Sequence, residues 1–193
     1  ARAGAAKPPT GAWPVVYDER VASGLIGHLV QAINGLSVAR GASWLKDAMG
    51  ERVLPAGIDL VEEPFRPRIA GSRPFDAEGL PCARRALVAG GVLESWILDL
   101  ATGRQLGLAS TANAVRGAGS PPHPSAGNLR LTEGRLDRAA LIAETGTGLL
   151  VTSLIGASIN PTTGDYSRGA SGFWVEKGEI VRPVNECTVA GNL

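Results

Sequence analysis

Histidine and cysteine are scarce in this chain of 193 residues, with two of each. That scarcity limits the chemistry open to it. Cys82 and Cys187 stand far apart with no CxxC spacing, so neither a zinc knuckle nor a dithiol redox motif is present. A disulfide between them is possible, but reduced, partly buried thiols fit a cytoplasmic chain better. His28 and His123 are the only imidazoles. Ser120, Ser125 and Ser171 lack a G-x-S-x-G setting, so no serine hydrolase is expected. Aromatic residues make up only 5%, which points to an aliphatic core. No apolar run approaches the ~20 residues of a membrane-spanning helix. Residues 1–9 lack the apolar stretch of a signal peptide.

Excess charge of either sign is also missing. Nineteen Lys and Arg stand against eighteen Asp and Glu, a net +1, which gives no global attraction to nucleic acid or to a membrane. The one local basic stretch, Arg66, Arg68, Arg73, Arg84 and Arg85, has only Phe65 and Phe75 to stack bases. Solvated or interface arginines are the better reading. The glycine-rich turns at 117–119 and 169–172 lack the spacing and Lys-Ser/Thr ending of a phosphate loop.

What is present is a series of turn and strand signals. Residues 1–13 read as a linker, and Pro14–Tyr17 as a short strand. Asp18 serves as the N-cap of a helix reaching Asn34, with Asn34-Gly35 as its stop. His28 falls on the apolar side of that helix with Val21, Leu25, Leu29 and Ala32. A second helix is expected over 43–50. Residues 58–61 read as a strand, 64–81 as irregular, and 86–98 as a hairpin turning at Gly90-Gly91, where both positions can take positive φ. A loop is expected over 110–127, a strand over 128–132, a short helix over 137–144 and a buried strand over 147–155. A terminal hairpin over 169–185 reverses at Glu176-Lys177-Gly178. Hairpins with few helices give no βαβ alternation, so the fold class is α+β with mostly antiparallel strands.

Several segments together carry a resemblance. They are Pro9-Thr10-Gly11 with Pro14–Tyr17, Leu25-Ile-Gly-His28, Ala39–Asp47 and Gly71–Gly79. Leu106-Gly-Leu108 with Ser110–Asn113, Pro124–Asn128 and above all Asn160–Val184 followed by Ala190–Leu193 complete the set. In number and order they resemble the TldD/PmbA family, the modulators of DNA gyrase now regarded as metalloproteases, and within it the PmbA (TldE) branch. The resemblance implies the family's C-terminal, metalloprotease-type domain over 14–193, truncated and without the N-terminal domain.

TldD-type members carry His-Glu-x-x-x-His on the helix matching residues 18–34. Laid on this chain without gaps, the first His falls on Ser23, the Glu on Gly24 and the second His on His28. Two neutral imidazoles hold Zn²⁺ in that motif, and the carboxylate takes the proton of the metal-bound water. Ser23 is a poor ligand and Gly24 has no side chain. A further family ligand, a Cys, would lie beyond Leu193, so Cys82 and Cys187 do not replace it. No catalytic residue and no cofactor are therefore assigned to this chain, and zinc is expected in a TldD-like partner. Positions five apart on a regular helix diverge by roughly 140°, so the motif needs local distortion, of which Gly27 is a candidate trace.

The resemblance implies a non-catalytic subunit paired with a TldD-like subunit or with a second copy, acting on unfolded peptide, without nucleic acid or membrane partners. Asp76 and Glu78, with Asn160 and Asp165, are candidates for the peptide cleft. Adjacent acids beside glycine equally serve backbone amides in a turn. His28 is expected to be a packed, hydrogen-bonded core imidazole. The edges of the 86–98 and 169–185 hairpins are candidates for strand addition. The alternatives are a metalloprotease using other ligands, such as His28 and His123, and a modulator of DNA gyrase. No residue speaks for contact with a topoisomerase.

Overall fold

A computed structural model describes residues 3–156 and 159–193. The chain divides into two compact units, residues 1–28 with 134–193, and residues 29–133.

The first unit is built on a four-stranded sheet ordered β1-β8-β9-β10. Its strands are β1 (Val15–Tyr17), β8 (Gly148–Ile155), β9 (Asp165–Glu176) and β10 (Glu179–Asn192). β1 lies parallel to β8, and the other pairings are antiparallel. The long β9–β10 hairpin turns at Lys177 (φ 52°) and Gly178 (φ 79°), the paired positive dihedrals that match strand twist. The expected terminal hairpin is therefore present and longer than its sequence signal at both ends.

Alternation along the strands sorts the core onto two faces. Leu149, Val151, Ala170, Trp174 and Val184 share one face with Val15, Tyr17 and Val21 of α1 (Glu19–Ala32). Val16, Leu150 and Val175 share the other with Ile142 of α4 (Arg138–Thr145). Each fully buried aliphatic side chain here contributes roughly 1.5–3 kcal/mol. α4 begins where Asp137 accepts the Ala140 amide at 2.8 Å.

Before β1, the residues read as a linker contribute neither helix nor strand, and Ala1 and Arg2 lie outside the described residues. Ala6 nevertheless bridges Val184 in parallel.

The second unit holds an antiparallel sheet ordered β4-β3-β2-β7. Its strands are β2 (Leu60–Glu62), β3 (Arg85–Ala89), β4 (Val92–Leu93) and β7 (Leu129–Leu131). Gly90 (φ 55°) and Gly91 (φ 89°) make the expected turn, although β4 is only two residues long. α2 (Gly35–Ala39), α3 (Leu100–Leu106) and the small pair β5 (Ala114–Val115) and β6 (His123–Pro124) complete the unit. The core is aliphatic, with Ile33, Leu60, Leu87, Val88, Leu93, Ile97 and Leu98 almost inaccessible.

The structure corrects three local expectations. Asn34 does not simply stop α1; its side chain accepts the Leu36 amide and starts α2. Residues 43–50 form turns and no helix, because Ser43 carries the local bonds. Its hydroxyl donates to the Ala32 carbonyl and accepts the Leu45 amide, the competition a short polar side chain offers a helix. Within the passage between 98 and 110, α3 was not foreseen. Asp99 accepts the Thr102 amide and the Asp99 amide bonds the Thr102 hydroxyl, a capping box. The α+β, mainly antiparallel class stands.

Candidate functional site

α1 is one uninterrupted helix through Gly27, so Ser23, Gly24 and His28, which the resemblance matched to a zinc motif, sit in regular geometry. Ser23 is exposed, and a Cβ added at Gly24 or at Gly27 would meet nothing within 4 Å. His28 turns inward instead. Its ring stands edge-on to Tyr166, with centroids 5.9 Å apart. Burial, helped by the Arg168 guanidinium, holds the imidazole below its ordinary pKa. Burial and the neighbouring Tyr166 phenol push the Tyr17 hydroxyl well above its ordinary range.

The expected hydrogen bond is not found. His28 Nε2 is buried without a hydrogen-bond partner among the described residues, as is Arg168 Nε. His28 is thus packed, but not hydrogen-bonded at that nitrogen.

These residues do not fit a catalytic zinc. One hydroxyl in solvent, one glycine and one imidazole packed beside a tyrosine and near a guanidinium are not a His-Glu-His set. Among the described residues no group of three or more His, Cys, Asp and Glu gathers at metal-binding distance. His123 sits in β6, in the other unit from His28.

The candidate cleft carboxylates are tied into their own turns. Asp76 Oδ1 accepts the amides of Glu78 and Leu80 at 2.9 and 3.0 Å, and Oδ2 accepts the Ala114 amide at 3.0 Å. Glu78 accepts the Leu100 amide at 2.8 Å. Asn160 accepts the Thr162 amide. Asp165 accepts from the Thr163 hydroxyl at 2.6 Å and from Asn192 Nδ2 at 3.0 Å, contacts that lower its pKa. Asp76 and Glu78 share one turn, Asn160 and Asp165 another. In the first, the acids accept backbone amides; in the second, Asn160 accepts the amide and Asp165 accepts from side chains.

Of the two hairpin edges considered for strand addition, the first is covered. Gly50 donates to the Leu93 carbonyl and Leu93 donates to Glu51, so residues 50–53 occupy the β4 edge. β10 is an edge of its sheet, while β9 is interior.

Beside β10 lies a feature sequence reasoning missed, a groove of about 740 Å³. One wall is Lys7–Val15, and the other is Glu186–Ala190 of β10. Leu149 and Trp174 also line it, and Trp13 stands at 87° to Trp174 with ring centroids 5.3 Å apart. The tandem Pro8-Pro9 was the available signal, since two residues without N–H cannot continue a ladder. Also unforeseen was the buried Glu62 carboxylate, held by Asn113 Nδ2 at 2.8 and 2.9 Å and by the Gly127 amide. Among the described residues no helix is long and apolar enough to cross a membrane.

Residues 10–193 match the family described as the PmbA/TldA metallopeptidase C-terminal domain. The chain is 43% identical over 180 residues to metalloprotease PmbA of Escherichia coli O157:H7, covering 93% of this chain and 38% of that protein. The same figures hold for the metalloprotease PmbA homolog of Haemophilus influenzae. TldE from Thermococcus kodakarensis superposes with a TM-score of 0.87 at 25% identity, over 99% of this chain and 44% of that one. A Bacteroides thetaiotaomicron protein, provisionally named a modulator of DNA gyrase, gives 0.88 at 30% identity over 98% and 41%. The chain therefore spans about two fifths of the length of these relatives.

Proposed function

The chain belongs to the PmbA/TldA metallopeptidase C-terminal domain family, and from that membership we propose that it is part of a subunit without its own zinc centre. A TldD-like chain would carry the metal, and the pair would act on unfolded peptide. The observation behind this reading is the state of α1. On the resemblance, Ser23 and Gly24 fall where the TldD-type motif needs an imidazole and a carboxylate, and His28 of the same helix packs against Tyr166. A serine hydroxyl in water cannot replace a neutral imidazole on Zn²⁺, and glycine cannot take a proton from water. No step of hydrolysis is routed through these residues.

In this role the chain supplies structure, namely a rigid sheet and a surface for the zinc-bearing partner. Asp76, Glu78, Asn160 and Asp165 shape turns and are not acid–base groups. A second copy of the chain is the other possible partner, and the same experiment separates the two.

The test is zinc content and peptide hydrolysis of the full-length protein, first alone and then with a TldD-like subunit. Near-zero zinc alone, with chelator-sensitive hydrolysis only in the mixture, is the expected result. Stoichiometric zinc with hydrolysis in the isolated protein would overturn the reading.

A further inference from the structure

The N-terminal segment meets β10 at one residue, Ala6, and then leaves it. Ala6 donates to the Pro183 carbonyl and accepts the Asn185 amide, both at 3.4 Å. This is a single-residue parallel bridge to the sheet edge within one molecule. It cannot continue, because Pro8 and Pro9 have no N–H to offer. The segment arches away through Thr10 and Gly11 to Trp13, whose indole donates to the Pro9 carbonyl at 3.2 Å and so fixes the arch. The groove lies between the arch and Glu186–Ala190.

The backbone beyond Asn185 is left facing that groove. A bulge between Val184 and Cys187, with Glu186 at φ 49°, resets the alternation. At the far end the Leu193 amide points inward, to the Gly164 carbonyl at 3.0 Å. With regular pairing from Cys187 to Asn192, alternation turns the amides and carbonyls of Thr188 and Ala190 outward. Cys187 and Val189 pack against the core cluster that contains Leu149 and Trp174, giving the groove an apolar side. Lys7 and Glu186 form an ion pair at one end, with nitrogen and oxygen 3.6 Å apart.

We propose that this groove binds an extended, unfolded polypeptide segment by strand addition to Thr188–Ala190. An apolar side chain of the segment would lodge against Trp13, Trp174 and Val189. The occupant follows from the site itself, since the neighbouring stretch of the same edge already accepts the backbone of Ala6 in a parallel bridge. Backbone hydrogen bonds would supply sequence-independent affinity, and the aromatic pair would favour bulky apolar residues. The inference rests on the peptide-handling role proposed above and locates a recognition surface for it on this chain.

The test uses the full-length protein and fluorescein-labelled, reduced and carboxymethylated α-lactalbumin, a permanently unfolded chain. Binding is read by anisotropy for wild type, Thr188→Pro, Ala190→Pro and Trp13→Ala. Proline with its nitrogen towards an open edge is tolerated in strands, and Pro183 already holds such a position in β10. Each proline variant should weaken binding by roughly tenfold or more with unchanged circular dichroism. Trp13, 40% exposed, can be truncated without opening the core, and its loss should weaken binding several-fold. Wild-type affinity in all three variants would overturn the proposal, while hydrolysis by the mixed subunits would leave the subunit reading standing. Slow hydrogen exchange at Thr188 and Ala190 in the unliganded full-length protein would also overturn it, by showing an edge already covered.

Discussion

His28 and Tyr166 stand edge to face, with their ring planes inclined at 69°. The contact gives His28 a packing role in this chain. Burial disfavours the imidazolium, and Arg168 opposes it further. An unfolded imidazole takes its proton near the ordinary value of 6.5, while the folded one takes it only at lower pH. As pH falls through that window the unfolded state binds more protons, so stability declines from about pH 7.5 downwards. His28→Phe should flatten that decline, and His28→Ala should leave bound metal unchanged. Urea unfolding across pH, with elemental analysis of both proteins, checks the two expectations.

Much of the fold was legible because its signals are local. Gly90-Gly91 and Lys177-Gly178 supply positive dihedrals for two hairpins, and the apolar run within 147–155 announces a buried strand. The misses have a common cause, which is competition from bonds the sequence does not display. Ser43 looked like part of a helix until its hydroxyl met the Ala32 carbonyl. The capping pair Asp99 and Thr102 is the local signal for α3. At the candidate site, residue types on α1 raised the expectation of missing ligands, and the structure adds only the exposure of Ser23 and the packing of His28. The groove was not legible, because it forms where Lys7–Val15 and Glu186–Ala190 meet from opposite ends of the chain.

Asp18 ties two helices to the sheet. Its amide donates to the Val151 carbonyl, and its buried carboxylate faces Arg20 Nε and Arg138 Nη2, each at 3.1 Å. The hydrogen bonds from Arg20, and then the charge of Arg138, hold its pKa below the usual carboxylate value. The stabilisation is therefore present above about pH 4 and is lost as pH falls through the folded pKa. Asp18→Asn should be less stable at neutral pH, and should lose less than wild type on acidification. Acid titrations followed by circular dichroism compare the two slopes.

Gly172 pairs with Val151 next to a break in register, where β8 and β9 come together closely. A Cβ there would collide with the Leu150 carbonyl and crowd the Thr152 amide, all of it backbone that cannot rotate away. Gly172→Ala should cost about 3 kcal/mol or more. Gly191→Ala on β10 meets nothing within 4 Å and should stay within about 0.5 kcal/mol of wild type. Equal urea midpoints for the two variants would contradict this account.

Glu62 and Asn113 are both almost fully buried, and each depends on the other. Both oxygens of the carboxylate on β2 accept from Asn113 Nδ2, which also reaches the Ser125 carbonyl, and the Gly127 amide donates to Oε1. Asn113 Oδ1 in turn accepts from the Thr111 hydroxyl at 2.6 Å, so the bonds run on through Leu98, whose amide donates to that hydroxyl. A buried carboxylate held by neutral donors needs them, because removing one leaves its desolvation uncompensated. Asn113→Ala should therefore destabilise by about 2–3 kcal/mol. Glu62→Gln in that background should recover part of the loss by removing the stranded charge. Denaturant unfolding of the two single variants and the double variant closes a mutant cycle. Strict additivity in that cycle would show that the pair is not coupled as the geometry requires.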